Sequence, residues 1–455
     1  MTNKTKAQQS NIVAIIAMFF LFAMISFVTN LAAPLGTIWK NNYDWSGMLG
    51  NLMNFAAYLF MGIPAGNLLV KIGYKKTALY AMLVGLAGLV LQWLSGVVGT
   101  ETGLFEVSGQ TVNLNFVIYL LGAFICGFCV CMLNTVVNPM LNMLGGGGNR
   151  GNQLVQMGGS FNSLAGTLTP LFVGMLIGEV KATTSILDVQ LLLFIAMAVF
   201  VAAFIIISFV AIPEPHLQKD GGKKAVKKSA HSPWSFRHTV LGVVGIFFYV
   251  GIEVGIPGVL IFYLSDSAVS GITENATAVA GGVAAVYWLL MLCGRLVSSV
   301  ISGKVSSRAQ LIVVSVAAIA LVITAIFFPS DIRMSVPAYS PAEGFSMAQV
   351  PAKALFLVLC GLCTSVMWGG IFNLAVEGLG KYTAQASGIF MMMVVGGGVM
   401  PLIQNAIAGA AGYMASYWLV VAMLGYLLYY ALVGSRNVNK DIPVDEDDFV
   451  DARNL

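Results

Sequence analysis

The sequence predicts an all-α membrane protein, twelve transmembrane helices arranged as two pseudo-symmetric six-helix bundles. Three observations carry that expectation: the apolarity of the chain, the spacing of its apolar runs, and an internal repeat. Of 455 residues, 58% are hydrophobic and only 9% charged, with a mean hydropathy of +0.86. So little polar surface cannot cover a water-soluble globule of this size, which makes lipid the solvent. In hydrocarbon every backbone polar group must find a partner within the protein, and apolar runs of about 20 residues achieve this as helices. Such runs fall at 11–33, 47–70, 76–97, 114–143, 152–178, 187–211, 239–264, 276–302, 309–328, 351–375, 383–410 and 414–434.

The first eleven residues place two lysines ahead of a long apolar span without a small-residue cleavage site, so the N-terminal segment is expected to be retained. All six cysteines lie within predicted spans, where a thiol packs as a small apolar group. No disulfide framework, metal site or cofactor is called for. With the N-terminus inside, only Lys40, Lys181, Arg333 and Lys353 lie outside, and the rest of the 23 Lys and Arg fall on the cytoplasmic side. This bias orients both termini to the cytoplasm of a bacterial inner membrane, and it explains the net charge of +4 without a nucleic-acid partner.

The chain divides into a first bundle at 1–212, a cytoplasmic linker at 213–238, a second bundle at 239–435 and an acidic tail at 436–455. The linker, PEPHLQKDGGKKAVKKSAHSPWSFRH, is the longest basic and Gly/Pro-punctuated stretch in the sequence. The two bundles read as repeats. A shift of 234 residues lays CGFC at Cys126–Cys129 on CGLC at Cys360–Cys363 and brings Asn134 opposite Trp368. A shift of 228 lays Phe19–Phe20 on Phe247–Phe248. Parallel six-helix repeats are a transporter architecture.

Polar side chains at mid-depth must face the bundle interior or a water-filled cavity, so they mark the candidate site. Span one carries Asn30, with Pro34 expected to disturb the helix after it. Span two carries Asn51, Asn54 and Tyr58 on one face. Span four carries Asn134, Asn138 and Asn142 at four-residue steps. Asn162, Trp288, Trp368 and Gln404 add polar groups in spans five, eight, ten and eleven. An amide both donates and accepts, which suits sugar hydroxyls, and an indole covers the apolar face of a pyranose. The alternative is that these amides glue helices together. Glu253 is the one acid placed in the middle of a span, where a charge is costly, which makes it the candidate coupling residue. Arg295 is expected at the inner end of span eight, leaving no cation at mid-span and favouring neutral cargo. GGGGNRGN at 145–152 lacks the ending of a phosphate loop and reads as a connector. No motif supports an enzyme.

FFLFAMISFVTNLAAP, GIPAGNLLVKIGYKK, LNTVVNP with GGSFNS, FFYVGIEVG, and IFNLAVEGLG with GGGVMP together resemble the fucose and glucose/galactose permease branch of the major facilitator superfamily. The resemblance implies the major facilitator fold and alternating access between the two bundles. It further implies a sugar bound midway, usually driven by a co-transported proton or sodium ion. Where the fucose permease pattern has an aspartate in span one and a glutamate just before the NP segment, this sequence has Asn30 and Asn134. YVGIEV is similar to the glucose/galactose members, which carry a glutamate at the position of Glu253. The expected protein is thus a monomeric carrier importing a hexose, deoxyhexose or amino sugar. Its alternatives are an uncoupled facilitator, a carrier of an acidic sugar, or a membrane sugar sensor.

Overall fold

A computed structural model of the chain describes residues 2–43, 46, 49–177, 185–214, 231–272, 276–340 and 344–444. The structure is almost wholly helical. Its main helices are α1 (Thr2–Asn42), α2 (Leu49–Leu94), α3 (Leu114–Leu144), α4 (Gly148–Ile177), α5 (Gln190–Phe209), α6 (Arg237–Ser265) and α7 (Ala276–Ile301). They continue with α8 (Ser307–Phe327), α9 (Lys353–Val376), α10 (Thr383–Met392), α11 (Gly396–Ala411) and α12 (Tyr413–Tyr429). Much of the expected linker and most of the acidic tail lie outside the described residues.

Ten helical stretches among the described residues are long and apolar enough to cross a membrane. Two features reconcile that number with twelve spans. The 46-residue α2 is interrupted at Gly73, whose φ of 86° and ψ of 176° belong to a region essentially reserved for glycine. Its two arms fold back on each other against α3: a Cβ added at Gly127 would meet Asn54 and Ala57, while one added at Gly88 would meet Cys126. Residues 54–57 and 85–88 therefore lie at one height, as two antiparallel spans require. The second feature is α4, a 30-residue helix of spanning length whose side chains past Thr169 fall outside the described residues, so it does not enter that number. The architecture is consistent with twelve crossings.

Glu214, just past α5, holds the α2 bend. Its carboxylate accepts the backbone N–H of Tyr74 and of Lys75, each at 2.8 Å, so an acid caps the start of the second arm. The connector after α3 is built from Gly146, Gly147 and Gly148, three successive residues at positive φ. α1 runs on to Asn42, past the expected break at Pro34.

Two β-hairpins also form, neither visible in the hydropathy. β1 (Gly103–Val107) pairs with β2 (Gln110–Asn113) through a turn in which Ser108 and Gly109 both have positive φ, the geometry that suits a tight hairpin. β3 (Arg333–Ser340) pairs with β4 (Gly344–Pro351). Both sit on the side opposite the basic connectors at Gly73, 145–147 and 302–306.

The halves meet on the side of the basic connectors. The α2–α10 crossing is so close that a Cβ at Gly388 would collide with the Gly62 carbonyl and approach Gly66 within 2.7 Å, a small-residue contact of the kind that brings membrane helices together. Gly396 packs against the Phe247 carbonyl in the same way. A 3-10 turn at Met393–Val395 joins α10 to α11 immediately before the glycine run Gly396–Gly398.

Candidate functional site

A hydrogen-bonded chain crosses the interface between the halves. Trp368 of α9 donates its indole N–H to Asn138 Oδ1 at 3.0 Å. Asn138 donates to the Asn134 carbonyl at 2.9 Å, and Asn134 donates through Nδ2 to the Tyr58 hydroxyl at 2.9 Å. The four-residue spacing of Asn134 and Asn138 on α3 stacks their amides on one face, directed at α2 on one side and α9 on the other. Trp368 is set between Tyr249 and Phe390, with ring centroids 6.1 and 5.9 Å away.

Toward the basic connectors a second polar layer closes the interface. Asn142 donates to Asn373 Oδ1 at 2.7 Å, and Asn373 donates to Ser307 Oγ at 2.8 Å. Gln156 donates to the Val366 carbonyl at 2.8 Å, and Ser387 donates to the Thr135 carbonyl at 3.2 Å. Three of these contacts join first-half to second-half helices through neutral groups, and Asn373–Ser307 ties α9 to α8 behind them. The halves are thus sealed on the basic side in this conformation.

Glu253 does not stand alone. Arg295 of α7 donates from Nη2 to Glu253 Oε1 at 3.1 Å, and from Nη1 to Ser163 Oγ at 2.7 Å and the Gly159 carbonyl at 3.2 Å. This corrects the expectation of an interior without a cation. The Arg295 side chain is only 10% exposed, because its long stem carries the guanidinium away from the helix end into the bundle. Neither Arg295 nor Ser163 was legible as a site residue. A carboxylate at mid-span with no visible partner was itself the signal that a cation should be sought.

The other candidates are distributed around this centre. Asn54 is buried with Oδ1 unpartnered. It lines a cavity of about 20 Å³ together with Thr29, Phe55, Tyr58 and Val130, enough for a single water. Asn51 lies half-buried one turn away on α2. Asn162 donates to the Phe22 carbonyl at 3.0 Å, an interhelical tie within the first half. Trp288 stands two turns from Arg295 on the same face of α7, 40% exposed, with its ring edge-on to Tyr287. It makes no ring contact with Trp368. Gln404 is fully buried against Gly255, and neither its Oε1 nor its Nε2 has a partner. Asn30 lies in α1, but its side chain falls outside the described residues.

Two helical bundles with apolar exteriors, meeting over a buried polar layer, define a polytopic membrane carrier. The chain belongs to the Major Facilitator Superfamily, whose sequence profile matches residues 15–401. It is 29% identical over 427 residues to a glucose/galactose transporter of Brucella abortus, covering 92% of this chain and 93% of that one. It is 22% identical over 436 residues to the L-fucose-proton symporter of Escherichia coli, covering 90% and 89%. The crystal structure of the E. coli fucose:proton symporter superposes with a TM-score of 0.75 at 19% identity, over 94% of this chain and 100% of that one. At that identity the superposition speaks for the fold.

Proposed function

We propose that this transporter imports a small neutral sugar, a hexose, deoxyhexose or amino sugar, by alternating access in symport with a proton or sodium ion coupled through Glu253. The observation that carries the reading is the chain Tyr58–Asn134–Asn138–Trp368. It offers amides, a hydroxyl and an indole at the point where the halves meet, the donor, acceptor and stacking surfaces that a pyranose needs. Gln404 and Asn54, buried with unpartnered polar atoms, supply further groups that a sugar or its water would satisfy. Asn30, Asn51, Asn162 and Trp288 complete the proposed lining.

Arg295 does not argue for an acidic cargo. Its charge is already matched by Glu253, so the site as a whole is neutral. Similarity to glucose/galactose transporters over nine-tenths of the chain supports a hexose. The basic connectors and both termini are assigned to the cytoplasm, the domains to 1–212 and 239–435, and the working unit to the monomer. Counterflow of labelled D-glucose, D-galactose and L-fucose in proteoliposomes tests the reading. Saturable exchange of at least one supports it, and exchange of none rejects it. Exchange that no ion gradient can drive uphill leaves a facilitator.

A further inference from the structure

The Glu253–Arg295 pair belongs to the second half, yet the same guanidinium grips the first half through Ser163 Oγ and the Gly159 carbonyl. Arg295 thus joins three helices, α6, α7 and α4, and α4 meets α7 nowhere else by so polar a contact among the described residues. We propose that Arg295 is a positioning residue that converts the charge state of Glu253 into opening or closure of the seam between α4 and α7. The inference rests on the coupling role of Glu253, but not on the identity of the sugar.

With Glu253 ionised, the guanidinium is neutralised within its own half and directs its remaining N–H groups at neutral oxygens across the seam. Those charge-assisted hydrogen bonds hold α4 against α7. When Glu253 takes a proton, Arg295 keeps its charge and becomes a buried cation with only neutral partners. An unmatched buried charge is strongly unfavourable, and the relief is water. Water reaches it when α4 parts from α7, which opens the seam toward the basic connectors. Loss of the proton restores the pair and the closed seam. This sense suits import, with the proton acquired on the hairpin side and released on the basic side.

Among the described residues, few groups interact electrostatically with Glu253. Arg295 and Tyr287 approach from α7, and Tyr249 lies one turn away on α6 itself. Cys360 of α9 interacts with Tyr287, Tyr417 of α12 donates to the Ile256 carbonyl, and α11 contributes the uncharged Gln404. Arg295 is the one basic group among them.

The test measures distance rather than transport. Arg150 and Lys304 are exposed on the two sides of the closed seam. They take spin labels as Arg150→Cys and Lys304→Cys, with the exposed Cys293 replaced by serine, in the full chain in lipid nanodiscs without sugar. Near neutral pH the labelled protein should show one short distance. Glu253→Gln, a fixed neutral side chain, should add a longer component, and Glu253→Gln with Arg295→Gln should remove that component again, because no unmatched charge remains. Ser163→Ala should lengthen the distance without touching the ion pair. Acidification should lengthen it in the parent and leave the double variant unmoved. A purely structural pair predicts the opposite for the double variant, which would be at least as perturbed as either single change. The proposal is overturned if Glu253→Gln leaves the distance unchanged, or if the double variant stays as open as Glu253→Gln. Since no sugar is present, failure of the sugar assignment would not alter these outcomes.

Discussion

Arg295 and Glu253 form a 3.1 Å ion pair between α7 and α6, and that contact reshapes the meaning of the most expensive residue in the sequence. A lone mid-membrane carboxylate would have to be neutral or hydrated to persist. A paired one can stay charged, and breaking the pair by removing one partner leaves an uncompensated buried charge. Arg295→Ala should therefore damage the protein more than the double change Arg295→Gln with Glu253→Gln. Thermal melting in detergent compares the two. Equal damage would mean that the pair contributes no electrostatic constraint.

Trp368→Phe keeps an aromatic ring but removes the N–H that reaches Asn138 Oδ1. Losing one such bond and leaving a buried acceptor unpaired costs about 1–3 kcal/mol. The half-saturating sugar concentration for counterflow should rise by about fivefold to 150-fold on this scale, and Trp368→Ala should be worse because stacking goes too. Unchanged saturation in both variants would remove Trp368 from the site.

Gln404 separates a ligand group from a structural one. Its amide is buried with no partner, so Gln404→Leu replaces unsatisfied polar atoms with an apolar side chain of similar size, a change that is neutral or stabilising where nothing depends on the amide. The expected outcome is an unchanged or higher Tm with sugar affinity reduced about tenfold or more, as for a site built to hydrogen-bond its substrate. A lower Tm with intact affinity would assign Gln404 to packing.

Gly388→Val inserts a branched side chain where α10 touches the Gly62 carbonyl and Gly66 of α2. Overpacking of a backbone-to-backbone crossing cannot be absorbed by a rotamer change. The closed conformation should be lost, and sugar counterflow should fall to about a tenth of its parent rate or less. Wild-type counterflow would show that this crossing does not belong to the working cycle.

Gly73→Ala should destabilise the α2 bend by about 1–3 kcal/mol, the cost of forcing a Cβ into that backbone region. Chemical denaturation in mixed micelles would register it. Glu214→Gln keeps acceptors for the Tyr74 and Lys75 N–H groups on one oxygen only and should cost less.

The spans were legible because hydrocarbon imposes one rule on every stretch of backbone, and apolar length reports it directly. The predicted 114–143, 276–302 and 414–434 correspond closely to α3, α7 and the stretch Tyr413–Gly434. Glu253 was legible for the same reason, since a carboxylate in an apolar run needs an explanation. Arg295 was not, because its Cα sits one to two turns from the end of α7, and only the direction of its side chain carries the charge inward. The hairpins were missed because short alternating segments outside the membrane leave no mark on a long hydropathy window. The stripe Asn134, Asn138 and Asn142 was visible as a stripe, but its division was not. Asn138 faces Trp368 and the polar chain, whereas Asn142 faces Asn373 and the seal.

The most direct measurement is uptake of labelled D-glucose and D-galactose by proteoliposomes of the parent protein and of Glu253→Gln, under an imposed inward proton or sodium gradient. The parent should concentrate a sugar above the external level under one of these gradients. Glu253→Gln should exchange the same sugar at equilibrium without concentrating it. Gradient-driven accumulation by Glu253→Gln equal to that of the parent would contradict the coupling role, and saturable uptake by neither protein would contradict the account as a whole.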